Sequence, residues 1–256
     1  MTAPVVPFGA RVGAFVRRKD VRGVFLTWLA LTVLLCLFSF VPARLMGTPA
    51  SPTKQAIETT MTVFTLAASP VAALVWAIAL YSLVKWRHRG SVPPPDGPAL
   101  RSHGLATGIW VGVSSVLCLF LLAWGFVEMQ SLAAPAQAAD PLVVNVTGQQ
   151  WVWTFSYPGQ GRVESDQLYL PVNRPVLFHV TSNDVVHSFW VVQMGIKVDA
   201  NPGMTTTTNV TPNRLGTFDV RCAELCGLLH ADMETSVHVV TPSGYRSWLR
   251  SAGRPG

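Results

Sequence analysis

Two cysteines, a histidine and a methionine fall within twelve residues: Cys222-Ala223-Glu224-Leu225-Cys226-Gly227-Leu228-Leu229-His230-Ala231-Asp232-Met233. Thiolate and imidazole donors together select copper or zinc. Methionine discriminates between them. Zinc sites draw on Cys, His and carboxylates, whereas a weak thioether beside Cys and His marks copper in electron transfer. A single blue copper needs one Cys, two His and a distal Met. Here a second Cys is present, and a further imidazole, His187, stands 35 residues before Cys222. Two bridging thiolates could therefore hold two copper ions, with His187 and Met233, or His230, at the ends and the Glu224 carbonyl between the thiolates. The bland alternative is a structural disulfide between Cys222 and Cys226. His187, His230 and Met233 at these spacings weigh against it.

The elements that must position these groups read as short strands. Segments 142–146, 150–155, 175–181, 188–192, 205–210, 216–221 and 235–241 alternate or run apolar. Turn signals separate them at Pro158-Gly159, Ser182-Asn183-Asp184, Asn201-Pro202-Gly203 and Pro212-Asn213. Several short strands in one such stretch predict a β-sandwich or barrel over 141–250. A short helix is expected at 244–250. Trp151 and Trp153 are expected on one face of a strand, and Met129, Met194 and Met204 as packing residues. His187 opens a strand after the Asn183-Asp184 turn, so its loop and the Cys222–Met233 loop can meet at one end of a sandwich.

The first half is different. Only 12% of the 256 residues are charged, about half the usual share for soluble domains. Three runs, 24–41, 61–84 and 105–127, contain no charged residue, and each is long enough to cross a bilayer as a helix. Pro70 lies inside the second, where a membrane helix tolerates it. The net charge is +6, but residues 1–139 hold 11 Lys/Arg against 4 Asp/Glu, and residues 140–256 hold 8 against 9. The excess flanks the apolar runs, which is the pattern of topology-setting charge and not of a nucleic-acid footprint. Arg11, Arg17, Arg18, Lys19 and Arg22 precede the first run, and Lys85, Arg87, Arg89 and Arg101 follow the second. The basic segment 1–23 and the second loop are thus expected in the cytoplasm, and everything past 127 outside. The first run is expected as a retained helix; the alternative is a signal peptide cut near Val41-Pro42-Ala43. Residues 131–140 read as a linker. Cys36 and Cys118 lie inside apolar runs as small hydrophobes.

The motif C-x-E-x-C-G-x-x-H-x-x-M resembles subunit II of the haem–copper cytochrome c oxidases. So do Gln150-Trp151-Val152-Trp153, Asp184-Val185-Val186-His187-Ser188-Phe189-Trp190 and Lys197-Val198-Asp199-Ala200-Asn201-Pro202-Gly203. The likeness covers roughly residues 61–249. It implies a cupredoxin fold carrying a dinuclear CuA centre. His187, Cys222, Cys226, His230 and Met233 would ligate copper by side chain and Glu224 by its carbonyl, while the Glu224 carboxylate would help hold magnesium against subunit I. Trp151 resembles the aromatic through which the electron from cytochrome c arrives. The implied chain is a multi-pass plasma-membrane subunit of a proton-translocating oxidoreductase. It would face outwards with its copper domain and pass electrons to a haem-bearing subunit I, where dioxygen is reduced.

Four departures accompany the likeness. The first apolar run is additional, since two spans are usual. Thr107 stands where the family has a Glu associated with proton uptake into subunit I. Val152 replaces an aromatic between the two tryptophans. The sequence holds no C-x-x-C-H, so the donor is expected to be a separate cytochrome c or a haem on another subunit. The CuA subunit of a nitric oxide reductase is the alternative function. A membrane copper chaperone fits less well, because these ligands sit in a strand–loop–strand. A quinol oxidase subunit would lack the ligands, and a nitrous oxide reductase would need more than the six histidines present.

Overall fold

The computed structural model describes residues 18–41, 45, 47–87, 90–91, 103–133, 140–161 and 163–252. Arg11, Arg17, Arg44, His88, Arg89 and Arg101, positions 42–43 of the cleavage motif, most of the basic segment 1–23 and residues 134–139 of the expected linker lie outside these described residues.

Three long helices come first: α1 (Arg18–Phe38), α2 (Pro52–Lys85) and α3 (Gly104–Ala133). Each is long and apolar enough to cross a membrane, since even α1 extends about 30 Å at 1.5 Å per residue. Their boundaries differ from the apolar runs. Helix α2 starts at Pro52, not at 61, because the Ser51 hydroxyl accepts the Lys54 N–H at 3.0 Å and caps a polar first turn. Helix α3 continues through 131–133, which were expected in the linker; none of Ser131, Leu132 and Ala133 is a proline or glycine that would break the helical ladder.

The chain divides into two compact units, Met1–Pro42 with Met61–Leu122, and Ala43–Thr60 with Ala123–Gly256. In the first, Gly23 lets α1 approach the Tyr81 ring of α2, where an added Cβ would lie 2.5 Å from Cε2. The Trp28 indole donates to the Pro70 carbonyl at 2.8 Å, and Tyr81 donates to Asp20 at 3.0 Å.

The second unit is a two-sheet β-sandwich. One sheet has the order β3-β2-β1-β5-β8 and the other β4-β10-β9-β6-β7. The strands are β1 (Leu142–Gln149), β2 (Val152–Tyr157), β3 (Val163–Ser165), β4 (Leu168–Pro171), β5 (Val176–Ser182), β6 (His187–Val191), β7 (Ile196–Ala200), β8 (Thr206–Val210), β9 (Gly216–Cys222) and β10 (Glu234–Val240). Helix α4 (Pro242–Ala252) closes the domain. Alternation places Val144, Val146, Phe155, Phe178, Val180, Phe189, Val220 and Val237 in a shared, fully buried core. Phe189 of one sheet meets Phe155 and Phe178 of the other at centroid distances of 6.1 and 5.4 Å.

Three strands were not expected. β3 and β4 are too short to show periodicity, and β7 alternates Lys197 and Asp199 with apolar residues as an edge strand beside β6. Trp151 is also corrected. It lies in the turn between β1 and β2, so it does not share a strand face with the buried Trp153. Of the methionines expected to pack, Met194 is fully buried, whereas Met204 and Met129 are exposed.

The chain before α2 is bound to this domain. Ala50 donates to the Gln193 carbonyl at 2.8 Å and accepts from Asn213 at 3.0 Å, and the Ser51 hydroxyl donates to the Met194 carbonyl at 2.7 Å.

Candidate metal centre

Three loops converge at one end of the sandwich. The first is the β1–β2 turn at Gln150 and Trp151. The second runs from Asn183 into β6. The third runs from the end of β9 to the start of β10 and carries both cysteines. Strand pairing brings the last two together: β6 and β9 are antiparallel neighbours with Phe189 opposite Cys222, which sets His187 near the Cys222 sulfur. The third loop folds back in a one-turn helix at His230–Asp232, and the Cys222 N–H donates to the Met233 carbonyl at 3.1 Å. A twelve-residue loop thereby returns its methionine to its first cysteine.

Gly227 makes this return possible. Its φ is +121°, a conformation that L side chains rarely adopt, and an added Cβ would lie 2.9 Å from Gln150 Nε2 and 3.3 Å from the Trp151 ring. The loop thus lies directly on Trp151. Gln150 fastens it from below, donating through Nε2 to the Cys226 carbonyl at 2.8 Å.

The expected ligand atoms gather closely. Cys222 Sγ and Cys226 Sγ are 3.7 Å apart, and both thiols are free; no disulfide joins them. His187 Nδ1 is 3.8 Å from Cys222 Sγ, and His230 Nδ1 is 3.5 Å from Cys226 Sγ. Met233 Sδ is 3.7 Å from Cys226 Sγ, and the Glu224 carbonyl oxygen is 3.3 Å from Cys222 Sγ. His187, Cys222, Cys226 and Met233 are buried, and His230 is partly buried. The Glu224 side chain is exposed.

These separations suit a metal. An ion bonded at about 2.0–2.3 Å to nitrogen and sulfur, at near-tetrahedral angles, holds them roughly 3.5–3.8 Å apart. His187, Cys222 and Cys226 place their ligand atoms within 4.8 Å of one another. Burial, and then the Cys222 thiol beside it, pushes the Cys226 thiol up from its ordinary value. A bound cation would reverse that preference and release the protons. Two soft sulfurs, a thioether and imidazoles form a donor set suited to copper.

One imidazole is oriented by Asp184, a turn residue that was not expected to act on the ligands. His187 Nε2 lies 2.9 Å from Asp184 Oδ1, leaving Nδ1 for the sulfur side. Asp184 also accepts the Gln150 N–H at 2.8 Å and the Val185 N–H at 2.6 Å. Burial raises its carboxyl, but the hydrogen bonds from Gln150, His187 and Val185 outweigh this and hold it at about 2. A carboxylate three residues before a candidate ligand was the available signal. Gln150 left no such signal, because its role depends on where the third loop lies.

The family profile described as "Cytochrome C oxidase subunit II, periplasmic domain" matches residues 163–240. The chain is 36% identical to the cytochrome c oxidase subunit 2 of Thermostichus vulcanus, over 70% of this chain and 57% of that protein. The chain therefore spans just under three fifths of that relative's length. It is 28% identical to a Streptomyces avermitilis protein named "Probable cytochrome c oxidase subunit 2", over 94% of this chain and 88% of that one. Among solved structures, the periplasmic domain of subunit II (CoxB) of Bradyrhizobium japonicum is similar at 32% identity and a TM-score of 0.42. That match covers 43% of this chain and 92% of the other.

Proposed function

Because the chain belongs to the cytochrome c oxidase subunit II family, we propose that it is the electron-input subunit of a respiratory cytochrome c oxidase, with a dinuclear copper centre at the convergence of its three loops. The observation that carries this reading is a pair of free, buried thiols 3.7 Å apart, each with an imidazole Nδ1 within 3.8 Å and one with a thioether at 3.7 Å. Side chains of His187, Cys222, Cys226, His230 and Met233 and the carbonyl of Glu224 would hold the copper. Copper held by these residues would supply a one-electron relay.

The protein's own part is orientation and exclusion of water. Asp184 fixes which His187 nitrogen faces the sulfurs, as partners of metal-bound histidines do elsewhere. The buried walls keep water from Cys222, Cys226 and Met233, which limits rearrangement when charge changes. Trp151, packed on the Gly227 loop, is the proposed point of electron arrival from cytochrome c or a haem-bearing subunit. The exposed Glu224 carboxylate is proposed to share a magnesium ion with a haem-bearing subunit I, where the oxygen chemistry belongs. The whole assembly is an oxidoreductase coupled to proton translocation. The three helices would sit in the plasma membrane with the β-domain on the outer face. The nitric oxide reductase reading is not favoured, because the relatives reported above carry the cytochrome c oxidase name.

The test is an electron paramagnetic resonance and visible spectrum of the copper-loaded, oxidised protein. A purple species with a seven-line hyperfine pattern is expected. A four-line pattern, or no copper uptake, would replace this reading with a single-copper carrier or a structural domain.

A further inference from the structure

A second site lies on the flank of the sandwich, where a cleft of about 610 Å³ opens between the β4–β5 connection and helix α4. Two arginines line it, Arg174 from the connection and Arg246 from the helix. Asn173 and Gln160 add neutral polar groups, and Val172 and Leu249 form an apolar part of the wall. Among the described residues no carboxylate lines the cleft. Among the described residues Arg174 has one ionic neighbour, Asp140, at 3.5 Å. Asp140 is almost wholly in water, so that pair is weak and screened. Among the described residues Arg246 belongs to no ion pair.

Tyr245 gives the independent sign of a missing partner. It is only 4% exposed and lines the cleft, yet its buried hydroxyl has no hydrogen-bond partner. A buried hydroxyl without a partner is costly and uncommon. The Arg174 charge acts on this phenol, opposing the effect of burial. The first residue of α4, Pro242, is also part of the wall, so the positive end of an eleven-residue helix faces the same space.

We propose that this cleft binds a phosphate group carried on a small organic body, with Arg174 and Arg246 holding the phosphate oxygens, Tyr245 donating its hydroxyl, and Val172 and Leu249 packing the organic part. Paired guanidinium groups match phosphate oxygens in geometry and keep their charge at any physiological pH. The volume exceeds what an inorganic ion fills and falls in the range of small-molecule sites. A soluble phosphomonoester and the headgroup of an anionic phospholipid share this chemistry. Neither depends on the copper reading.

The experiment uses the full-length, copper-loaded protein in a neutral detergent. Glycerol 3-phosphate, short-chain phosphatidylglycerol and short-chain phosphatidylcholine are titrated calorimetrically. Glycerol 3-phosphate or phosphatidylglycerol is expected to bind, and phosphatidylcholine to bind more weakly or not at all. Saturation by glycerol 3-phosphate identifies a soluble ligand, whereas binding of phosphatidylglycerol alone identifies the headgroup. Arg246→Gln, an exposed change, should weaken binding by ~10-fold or more with an unchanged copper spectrum. Tyr245→Phe should weaken it without lowering the melting temperature, a separation that a purely structural tyrosine would not give. Absence of binding by both phosphate probes, or equal binding in Arg246→Gln, overturns the proposal.

Discussion

Asp184 Oδ1 sits 2.9 Å from His187 Nε2, and the opposite nitrogen of the same ring faces Cys222 Sγ at 3.8 Å. The carboxylate therefore sets the orientation of a candidate ligand without touching the sulfur cluster. Asp184→Ala should leave the fold intact and lower copper affinity by about 10–100-fold, the usual consequence of losing such a partner. Competition with a chelator of known affinity measures this. Unchanged affinity would show that His187 is held by its packing alone.

Trp151 covers the Gly227 loop from a turn and not from a strand. Trp151→Ala should slow reduction by the donor severalfold while copper content and spectrum stay the same. Stopped-flow reduction beside metal analysis separates the two. Loss of copper in this variant would assign the tryptophan to holding the loop.

Burial pushes the Tyr245 phenol up to about 12, with Arg174 pulling in the other direction. The folded state then keeps its proton where the unfolded chain, near pH 10, has lost it. This contribution to stability is complete below about pH 10 and disappears as the pH rises towards 12, by about 2–3 kcal/mol. Denaturant melts of wild type and Tyr245→Phe across that range check it. The variant should lose less stability at alkaline pH, and at pH 7 should differ by about 1 kcal/mol or less, since the hydroxyl has no partner to lose.

Helix α1 is expected to remain part of the mature protein. Its Trp28 donates to the Pro70 carbonyl and its Asp20 accepts from Tyr81, contacts that a cleaved leader would not supply. Intact-mass measurement of the purified subunit should find residues 18–41 present. A processed N-terminus beyond residue 43 would show that α2 and α3 are the only spans kept.

Gly195 has φ +68°, and a Cβ there would lie 2.9 Å from the Lys54 Cα. Gly195→Ala should destabilise the β-domain by roughly 2–5 kcal/mol, from backbone strain plus overlap with fixed backbone. Chemical denaturation measures it. A change below about 1 kcal/mol would mean that the first turn of α2 is free to move away from residues 193–195.

The cluster of sulfur and imidazole donors and the three long apolar helices were legible because they depend on local information. Cys222, Cys226, His230 and Met233 lie within one short loop, so their spacing alone limits how far apart they can be. Uninterrupted apolar runs of membrane length leave few other uses. The strands at β1, β5, β6 and β9 followed from alternation, whereas β3, β4 and β7 were too short or too polar to register. Which nitrogen of His187 faces sulfur was not legible. Neither was the turn position of Trp151, the fastening of Cys226 by Gln150, or the pairing of Arg174 with Arg246 across one cleft. Apart from the local turn at Trp151, these features join residues far apart in the chain (His187 with Cys222, Gln150 with Cys226, Arg174 with Arg246), and their meeting is set by strand register, with Phe189 opposite Cys222 and β1 between β2 and β5. The sequence by itself determined which side chains could bind a metal. The tertiary structure decided how the donors are aimed, because hydrogen-bonding partners from separate loops become neighbours only after the two sheets have packed.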